Sequence, residues 1–323
     1  VLFKAAMAGE ITVAWINVKE IRTDRVFAVI PKNVEVKRGE DPGKIPEGKL
    51  QVTDQEIHLI REAGKEPQIF PTGDTAYVID QRTFENAILR DQGFLQAWTG
   101  AVTLGTSLVE ATQKSNTLSG AASLVRVTPK ETWLDRYDRT ALNFSFAYGM
   151  LTQPRTPDVK TDIYHLDLEH DRYFTSRLFA FGQVAYDHNF SQGLDLQQSY
   201  GAGIGWSVVK NPAEELTLRV SANYVEQQFQ DGFQNQNLIA STFAETYEHK
   251  FLHDVVLNEQ ASATPAWNNL NAYSANGLIG LAIPIYKRFS LAITGVDTFI
   301  NNPAEGFRKN SFQFTTGLTY AIK

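Results

Sequence analysis

One short stretch of the chain combines residue types that hydrolytic enzymes use. Residues 187–191 read DHNFS and bring an acid, a histidine, an asparagine and a serine together. A serine hydrolase needs its nucleophile beside a histidine base that a third side chain orients. No second serine motif accompanies the stretch, which lies where a candidate strand ends. We therefore interpret it as a polar loop and expect no catalytic activity; an envelope lipid hydrolase using His188 is the less favoured alternative.

A second group of residues could be considered for metal binding. His165, Asp167 and Glu169 are separated by one residue each. On a strand they would share one face, with about 6.6 Å between successive side chains. This spacing suits the lining of a surface better than one tight coordination sphere. We predict a charged lining, paired with Arg219 or Arg126, and no metal.

Three glycines resemble a nucleotide-binding loop only superficially. Gly201, Gly203 and Gly205 recur with a period of two, and no helical pattern follows them. A phosphate-binding loop leads into a helix, whereas this period is that of a strand. We expect glycines that face inward beside bulky side chains, and no cofactor.

The composition excludes several classes of protein. The 323 residues are 43% hydrophobic, with a mean hydropathy of −0.26 and no cysteine. This rules out disulfides and thiolate metal sites, and no apolar run reaches the roughly 18 residues of a spanning helix. A net charge of −6 without a basic stripe argues against nucleic acid. The chain begins at Val1, which we expect to be a processed start, so export must be inferred from the remainder.

The elements that would position these residues are long alternating strands. The last of them, residues 311–322, places Phe312, Phe314, Leu318 and Tyr320 on one parity and small or polar residues on the other. From residue 93 onward we count twelve such segments of about 11–16 residues, near 95–109, 116–128, 139–151, 159–172, 176–188, 197–209, 215–229, 237–250, 253–265, 272–286, 288–300 and 310–322. Strands of this length can cross a membrane when tilted.

Short and long connections alternate between these segments. Short turns on one rim and longer loops on the other are typical of outer-membrane barrels, whose short turns face the periplasm. We therefore predict a 12-stranded antiparallel transmembrane β-barrel whose last strand pairs with the first, near 98–109, and whose two barrel ends lie in the periplasm. The exception is residues 129–138, a long connection that falls on the short rim.

The strand parity predicts which side chains line the lumen and which contact lipid. The predicted lumen lining consists of Asn143, Ser145, His165, Asp167, Glu169, Arg219, Asn223 and Gln260. Aromatic residues favour membrane interfaces because their rings join an apolar body to a polar tip. The predicted girdle residues are Trp98, Trp206, Tyr247, Tyr286 and Tyr320 on the short rim, with Tyr173 and Phe289, and Tyr148, Tyr186, Tyr200, Tyr224, Trp267 and Tyr273 on the long rim, with Phe312.

Two carboxylates conflict with this pattern. Glu245 and Glu259 fall on the apolar parity near the middle of their strands, where a charge facing lipid is costly. Either a β-bulge shifts the register, which we favour, or this wall faces a protein partner and forms a subunit interface.

The N-terminal part has a residue pattern different from that of the barrel strands. Residues 1–60 contain short β-prone pieces, such as 26–30, 49–52 and 57–60, between turn formers. We predict a small β-rich, SH3-like module in the periplasm, followed by a connector at 61–92 with a short helix near 83–89 and by the barrel at 93–323.

Several spaced motifs resemble a known family. They are WTGAVTLGTS at 98–107, QKSNT at 113–117, YFTSRLFAFG at 173–182, FSQGLDL at 190–196 and GAGIG at 201–205. Residues 96–323 resemble an outer-membrane barrel family catalogued as domain of unknown function 481. The chain resembles a divergent member, because EAT at 110–112 replaces a typical Gly-Asn pair. The resemblance implies a barrel in the outer membrane of a Gram-negative bacterium, with no established activity and no catalytic residues.

These observations support three functional hypotheses. The first is a structural or scaffold barrel that joins a larger envelope assembly through residues 1–60. The alternative is a narrow channel for small polar solutes, and the lipid hydrolase is third. We expect outer-membrane lipid and, through the N-terminal module, an envelope protein as partners; the sequence leaves a homo-oligomer open.

Overall fold

The computed structural model describes most of the chain. The described residues are 2–5, 9–12, 19–34, 36, 45–53, 56–61, 66–89, 93–110, 114–129, 134–152, 159–230, 235–303, 305 and 307–322. They divide into two compact units. The first comprises Val1–Gly93 and Pro129–Asp135, and the second comprises Phe94–Thr128 and Arg136–Lys323.

The N-terminal unit is built from strands and one helix. Its elements are β1 (Leu2–Ala5), β2 (Gly9–Thr12), β3 (Glu20–Pro31), β4 (Glu47–Thr53), β5 (Glu56–Ile60), β6 (Gln68–Pro71), β7 (Thr75–Asp80) and the helix α1 (Gln81–Leu89). β1 and β2 form a separate hairpin, and the other strands form an antiparallel sheet in the order β6-β5-β4-β3-β7. This confirms the predicted β-rich module.

The alternation of β3 gives this sheet a core on each face. Val29 packs on one face with Leu50 and Leu59. Its neighbour Ala28 points to the other face, towards Phe84 of α1, because successive side chains of a strand alternate. Residues 61–92, expected to be a connector with a short helix near 83–89, contain this helix as α1. The rest is not a plain connector: it supplies β6 and β7 of the sheet, where β7 is the partner of β3.

The second unit is the predicted barrel. Its strands are β8 (Trp98–Glu110), β9 (Lys114–Thr128), β10 (Asp138–Thr152), β11 (Val159–Tyr173), β12 (Leu178–Asn189), β13 (Leu194–Lys210), β14 (Glu214–Phe229), β15 (Gln236–Lys250), β16 (Val256–Thr264), β17 (Ser274–Tyr286), β18 (Phe289–Ile300) and β19 (Asn310–Ile322). The twelve strands form a closed antiparallel barrel. As predicted, β19 pairs with β8, in register from Gly317 opposite Gly105 to Ile322 opposite Gly100.

The two rims differ in the length of their connections. Residues 174–177, 211–213, 251–255 and 287–288 connect strands at one rim, the short rim. At the other, the long rim, two connections are described in full: residues 265–273 are longer than any of these four, whereas residues 190–193 are only four residues. The one long connection on the short rim follows β9. Its residues 129–135 belong to the N-terminal unit, where Leu134 is buried in the core with Phe84 and Ile88. Membership of a second hydrophobic core explains its length.

The favoured explanation for the two outward carboxylates is wrong. β15 pairs without a shift with β14 and with β16 through Glu245, and β16 pairs without a shift with β17 through Glu259. No bulge therefore turns either side chain inward.

The described helices include none that is long and apolar enough to cross a membrane.

The N-terminal unit contains a carboxylate that the fold disfavours in its charged form. Glu47 of β4 accepts a hydrogen bond from Gln81 Nε2 at 2.9 Å. Burial, followed by repulsion from Glu85, raises the pKa of Glu47 above its ordinary value of 4.5. Its protonated form therefore stabilises the unit below pH 4.5, and this contribution disappears as the pH rises through the raised pKa.

We expect Glu47→Gln to stabilise the N-terminal unit at pH 7 and to change little at pH 4, because glutamine resembles the protonated acid. Hydrogen exchange of peptides from β3 and β4, measured on the full chain at both pH values, checks this. Glu66→Gln, at an exposed position, is the control. Slower exchange at pH 4 alone, or equal effects at both pH values, would contradict it.

Candidate functional site

The strand register determines which face of the barrel each predicted residue occupies. Residues directly opposite each other in a ladder point to the same side of the sheet. Once one residue is known to point inward, its partners on the neighbouring strands must point inward as well. All eight predicted lumen residues lie on the inward face: Asn143, Ser145, His165, Asp167, Glu169, Arg219, Asn223 and Gln260. Arg126 does not join them, since it pairs with Trp98 on the outward face.

The outward face is apolar and bordered by aromatic rings. The predicted girdle residues on it are Trp98, Tyr148, Tyr186, Tyr200, Trp206, Tyr224, Tyr247, Trp267, Tyr273, Tyr286 and Tyr320. Tyr173 is an exception: it points inward and is buried against Phe179. A closed barrel with an even number of strands, an apolar exterior and two girdles is the architecture of outer-membrane barrels. The chain therefore forms an outer-membrane β-barrel.

The two carboxylates predicted to conflict with an apolar exterior, Glu245 and Glu259, do lie on this outward wall. Glu245 shares the outward parity of Ile239 and Phe243, and Glu259 lies opposite Ile279. Both glutamates are exposed. The wall between them carries small side chains, Ala261 lying directly opposite Glu245. The idea that this wall faces a partner stays a prediction.

An ion-pair network lies in the lumen near the short rim, on the side formed by β10–β15. Arg139 Nη1 donates to Glu169 Oε1 at 2.7 Å and to Asp171 Oδ2 at 2.9 Å. Arg219 approaches Glu169 from the other side, with 3.4 Å between Nη2 and Oε1, and donates to Thr246 Oγ1 at 2.9 Å. These contacts join β10, β11, β14 and β15, so the network ties a third of the barrel wall together across its interior.

Aromatic rings complete this constriction. Tyr173 and Phe179 have ring centroids 4.9 Å apart, and the Arg219 guanidinium lies 5.8 Å from the Phe179 ring. The outer end of the Phe179 ring lies against Gly205, where an added Cβ would overlap the ring. The inward-facing glycines of β13 thus provide room for a bulky neighbour, as the sequence predicted. We call the network and these rings the inner constriction.

The middle of the lumen holds a second polar cluster. His165 Nδ1 lies 2.6 Å from Asp187 Oδ1, and its Nε2 lies 3.0 Å from Asp167 Oδ1. Asn143 Nδ2 donates to Asp167 Oδ2 at 3.1 Å. The described residues contain no group of three metal-ligating side chains arranged to hold an ion.

The residues of the hydrolase candidate point to opposite faces of β12, because successive side chains of a strand alternate. Asp187 points into the lumen, whereas its neighbour His188 points outward and packs against Tyr164 with ring centroids 5.9 Å apart. The Nδ1 atom of His188 lies 2.6 Å from the Asp195 carbonyl oxygen. The acid and the histidine therefore lie on opposite faces of β12 and cannot act as a pair.

Solvent exposure rises steadily away from the inner constriction. Along the inward face of β11 the exposed fraction of the side chain is 0% for Asp171, 13% for Glu169, 26% for Asp167 and 40% for His165. Across the lumen, Gln260 is exposed although it points inward. The barrel therefore contains a water-accessible space, which we call the chamber.

A loop narrows the chamber at the long rim, and the sequence did not reveal it. Gln192, in the turn between β12 and β13, is fully buried. Its Nε2 atom donates to the carbonyl oxygens of Thr298 at 3.1 Å and Lys309 at 2.9 Å, on the opposite side of the barrel. Asn189 Nδ2 donates to Gln192 Oε1 at 2.8 Å. We call this cross-link the outer bridge. The only sequence signal was an Asn/Gln-rich loop, which does not show that a loop folds inward.

Comparison with known proteins identifies a family. A family model described as "Protein of unknown function, DUF481" matches residues 102–322, which confirms the family predicted from the motifs. No protein of curated function matches the sequence.

Solved structures with similarity to the chain include three barrels. The translocator domain of the autotransporter NalP from Neisseria meningitidis is 12% identical, with a TM-score of 0.40, and the alignment covers 69% of this chain and 87% of that one. An outer membrane channel from Pseudomonas putida F1 is 11% identical, with a TM-score of 0.41 and coverage of 72% and 100%. The transport unit of the autotransporter AIDA-I from Escherichia coli is 14% identical, with a TM-score of 0.33 and coverage of 75% and 96%.

We expect Arg139→Met to destabilise the barrel by about 3–5 kcal/mol, because it leaves the carboxylates of Glu169 and Asp171 short of a partner in the interior. Denaturant unfolding of the protein in lipid vesicles measures this. The control is Arg172→Met: Arg172 is exposed, pairs with Asp138 at 3.0 Å, and should contribute no more than about 1 kcal/mol. Adding Asp171→Asn to Arg139→Met should restore part of the loss. Equal losses for the two arginine variants would contradict the expectation.

Proposed function

Because the chain belongs to the family described as protein of unknown function, DUF481, for which no activity is assigned, we propose from its own geometry that it is a narrow channel for small polar solutes. The exposure of Gln260 carries this proposal. On β16, Glu259 and Ala261 are exposed on the outward face, and Gln260 between them is exposed on the inward face. A strand exposed on both sides supports a wet lumen, which a purely structural barrel does not need.

The charges in the lumen support a preference for cations. Its polar clusters contain four carboxylates, those of Asp167, Glu169, Asp171 and Asp187, against three basic groups, the guanidinium groups of Arg139 and Arg219 and the imidazole of His165. Charges of one sign in a cleft with low-dielectric walls raise the local concentration of ions of the opposite sign. A cation is therefore attracted into the chamber and an anion is repelled.

The two constrictions support a small solute. The inner constriction closes the side of the lumen formed by β10–β15, and the outer bridge spans the other end. What remains runs along the uncharged inward side chains of β16–β19, including Gln260, Gln313 and Thr315. Twelve strands enclose more than a side-chain-filled barrel and less than a porin channel.

The channel proposal also includes the side of the membrane on which the N-terminal unit lies and the absence of enzymatic activity. Short turns of outer-membrane barrels face the periplasm, and the N-terminal unit joins β8 where that strand begins, at the short rim. We infer that the N-terminal unit lies in the periplasm. The separation of Asp187 from His188 supports a protein that is not an enzyme.

A scaffold role is the second candidate, and a feature of the N-terminal unit favours it. Ile69 and Tyr77 are exposed on β6 and β7, which are the two edges of the sheet. Exposed apolar side chains on sheet edges suit an envelope protein partner. If the scaffold role is right, Ile69→Lys should abolish stable co-purification of that partner from membranes and leave conductance unchanged.

We expect the purified protein in planar bilayers to give small, cation-preferring conductance steps, and Gln260→Trp to reduce them because indole fills the chamber. Single-channel recording and the reversal potential in a KCl gradient measure the two properties.

Ala261→Trp is the matched control for this experiment, because it places the same ring one residue along, on the outward face. Its conductance should equal that of the unaltered protein. Absence of conductance steps in the unaltered protein, or equal effects of the two tryptophans, would overturn the channel proposal.

A further inference from the structure

A row of small side chains crosses the outward wall of the barrel. It consists of Gly182, Ala202, Ala222 and Ser241, which lie directly opposite one another on β12, β13, β14 and β15. The ladder row that contains them begins at the girdle residue Trp98 on β8. Because opposite residues share a face, all four point outward.

Larger side chains border this row on both sides. Ile204 and Val220 follow on the short-rim side and are 61% and 45% exposed. Tyr200 and Tyr224 follow on the long-rim side, and both are exposed. A Cβ added at Gly182 would meet no atom of the described residues within 4 Å, its chain neighbours aside. The row is therefore a shallow groove in the lipid-facing wall, and we call Gly182, Ala202, Ala222 and Ser241 the outer groove.

The outer groove runs from the short-rim girdle to the long-rim girdle. At one end Gly182 lies opposite His170, in the ladder row that starts at Trp98. At the other end Ser241 Oγ accepts a hydrogen bond from Nε1 of the girdle residue Trp267 at 3.0 Å. From β11 to β15 the row covers four strand spacings, roughly 19 Å, which exceeds half of the roughly 30 Å thickness of the hydrocarbon core. One acyl chain can therefore lie along it.

Basic side chains gather where the outer groove meets the short rim. Arg126 and His170 belong to the same ladder row, two strands apart, and Arg172 follows His170 on the outward face of β11. The Arg172 guanidinium lies 3.3 Å from the centre of the Tyr137 ring and pairs with Asp138 at 3.0 Å. Two arginines against this carboxylate leave a net positive charge. We call Arg126, His170 and Arg172 the cationic cluster, and all of it belongs to the barrel unit.

The cationic cluster suits a phosphate group at the membrane surface. A guanidinium group presents its N–H donors in a fork that matches phosphate oxygens. Trp98, which lies opposite Arg126, places the cluster at the depth of the lipid headgroups, where aromatic rings are favoured. Between Arg126 and His170, the Thr140 hydroxyl oxygen lies 2.9 Å from His170 Nδ1 and adds a neutral hydrogen-bonding group. The cluster therefore offers positive charge and hydrogen-bond donors to an anionic headgroup.

A second outward wall of small residues has the opposite charge. Ala261 and Gly277 lie opposite each other on β16 and β17, and a Cβ added at Gly277 would also meet no atom of the described residues within 4 Å, its chain neighbours aside. Ala261 lies opposite Glu245, and Gly277 lies opposite Asp297. We call these four residues the acidic wall. Its carboxylates repel an anionic headgroup, so the charge beside the small side chains distinguishes the two walls.

We propose that the cationic cluster and the outer groove together bind one anionic phospholipid from the leaflet at the short rim. Its phosphate contacts Arg126 and Arg172, with His170 beside it, and one acyl chain lies in the outer groove between the ridges of Ile204 and Tyr200. Charge selects the headgroup, and the shape of the wall holds the chain. The proposal concerns the outward face and is independent of conduction through the lumen.

Two variants remove the two parts of this site separately. Arg126→Gln/Arg172→Gln removes two charges from the cationic cluster, and Gly182→Leu fills the outer groove from the lipid side. The matched control for the first is Lys287→Gln/Arg288→Gln, which removes two exposed charges at the same rim. The matched control for the second is Gly277→Leu, which places the same side chain in the acidic wall. Circular dichroism of the full chain checks that each variant keeps its strands.

The probe is a phosphatidylglycerol with a diazirine in the middle of one acyl chain, added to phosphatidylcholine vesicles that contain the protein. After illumination, mass spectrometry locates the labelled residues. We expect several-fold more label on Ala202 and Ala222 than on Ala261, and no such preference with a phosphatidylcholine that carries the same diazirine. Arg126→Gln/Arg172→Gln and Gly182→Leu should each abolish the preference, whereas both control variants should keep it.

Three results would overturn the lipid site. The first is equal labelling of the outer groove and the acidic wall by the phosphatidylglycerol probe, which is the behaviour of ordinary boundary lipid. The second is a preference that survives both the arginine pair and Gly182→Leu. The third is an equal loss of the preference in Lys287→Gln/Arg288→Gln, which would indicate that the overall charge of the rim, and not the cationic cluster, attracts the lipid.

Discussion

The structure depends on the need to pair backbone hydrogen-bonding groups where no water is available. Each N–H and C=O group within the hydrocarbon layer must find a partner in the protein, and a sheet achieves this only when it closes on itself. The antiparallel ladder from β8 to β19 closes into a barrel and so meets this need around its circumference. At the seam, β8 and β19 pair in register from Gly105 opposite Gly317 to Gly100 opposite Ile322.

In the closed barrel, outward side chains contact lipid and inward side chains contact the water of the lumen. Because successive side chains of a strand point to opposite faces, a shift of one residue moves a side chain from the lipid side to the lumen side. Asp187 and His188 illustrate this: the first joins the lumen cluster with His165, and the second packs outside against Tyr164. The same rule makes Glu245 and Glu259 informative, since a continuous ladder holds both on the outward wall.

The interior shows how a polar lumen is kept narrow without being filled. Arg139 and Arg219 share Glu169, and the ring of Phe179 occupies the space that Gly205 leaves free. These contacts join strands that are not neighbours, so they brace the wall as well as obstruct the lumen. At the other end Gln192 reaches across the mouth with a single side chain. Between the two lies the chamber, into which the inward Gln260 is exposed.

The sequence by itself determined the number of strands, their approximate bounds, their pairing order and the face of most side chains, with Tyr173 and Arg126 as exceptions. These features follow from local alternation, which is why Asn143, Asp167 and Gln260 could be assigned inward before any coordinates. It did not determine that residues 61–92 complete the N-terminal sheet, that Tyr173 turns inward to meet Phe179, or that Leu134 belongs to another core. Only the tertiary structure decided the outer bridge and the register of the seam between β8 and β19. Both depend on contacts between residues more than a hundred or two hundred positions apart, Gln192 with Lys309 and Gly105 with Gly317, and such contacts leave no trace in the local pattern of either partner.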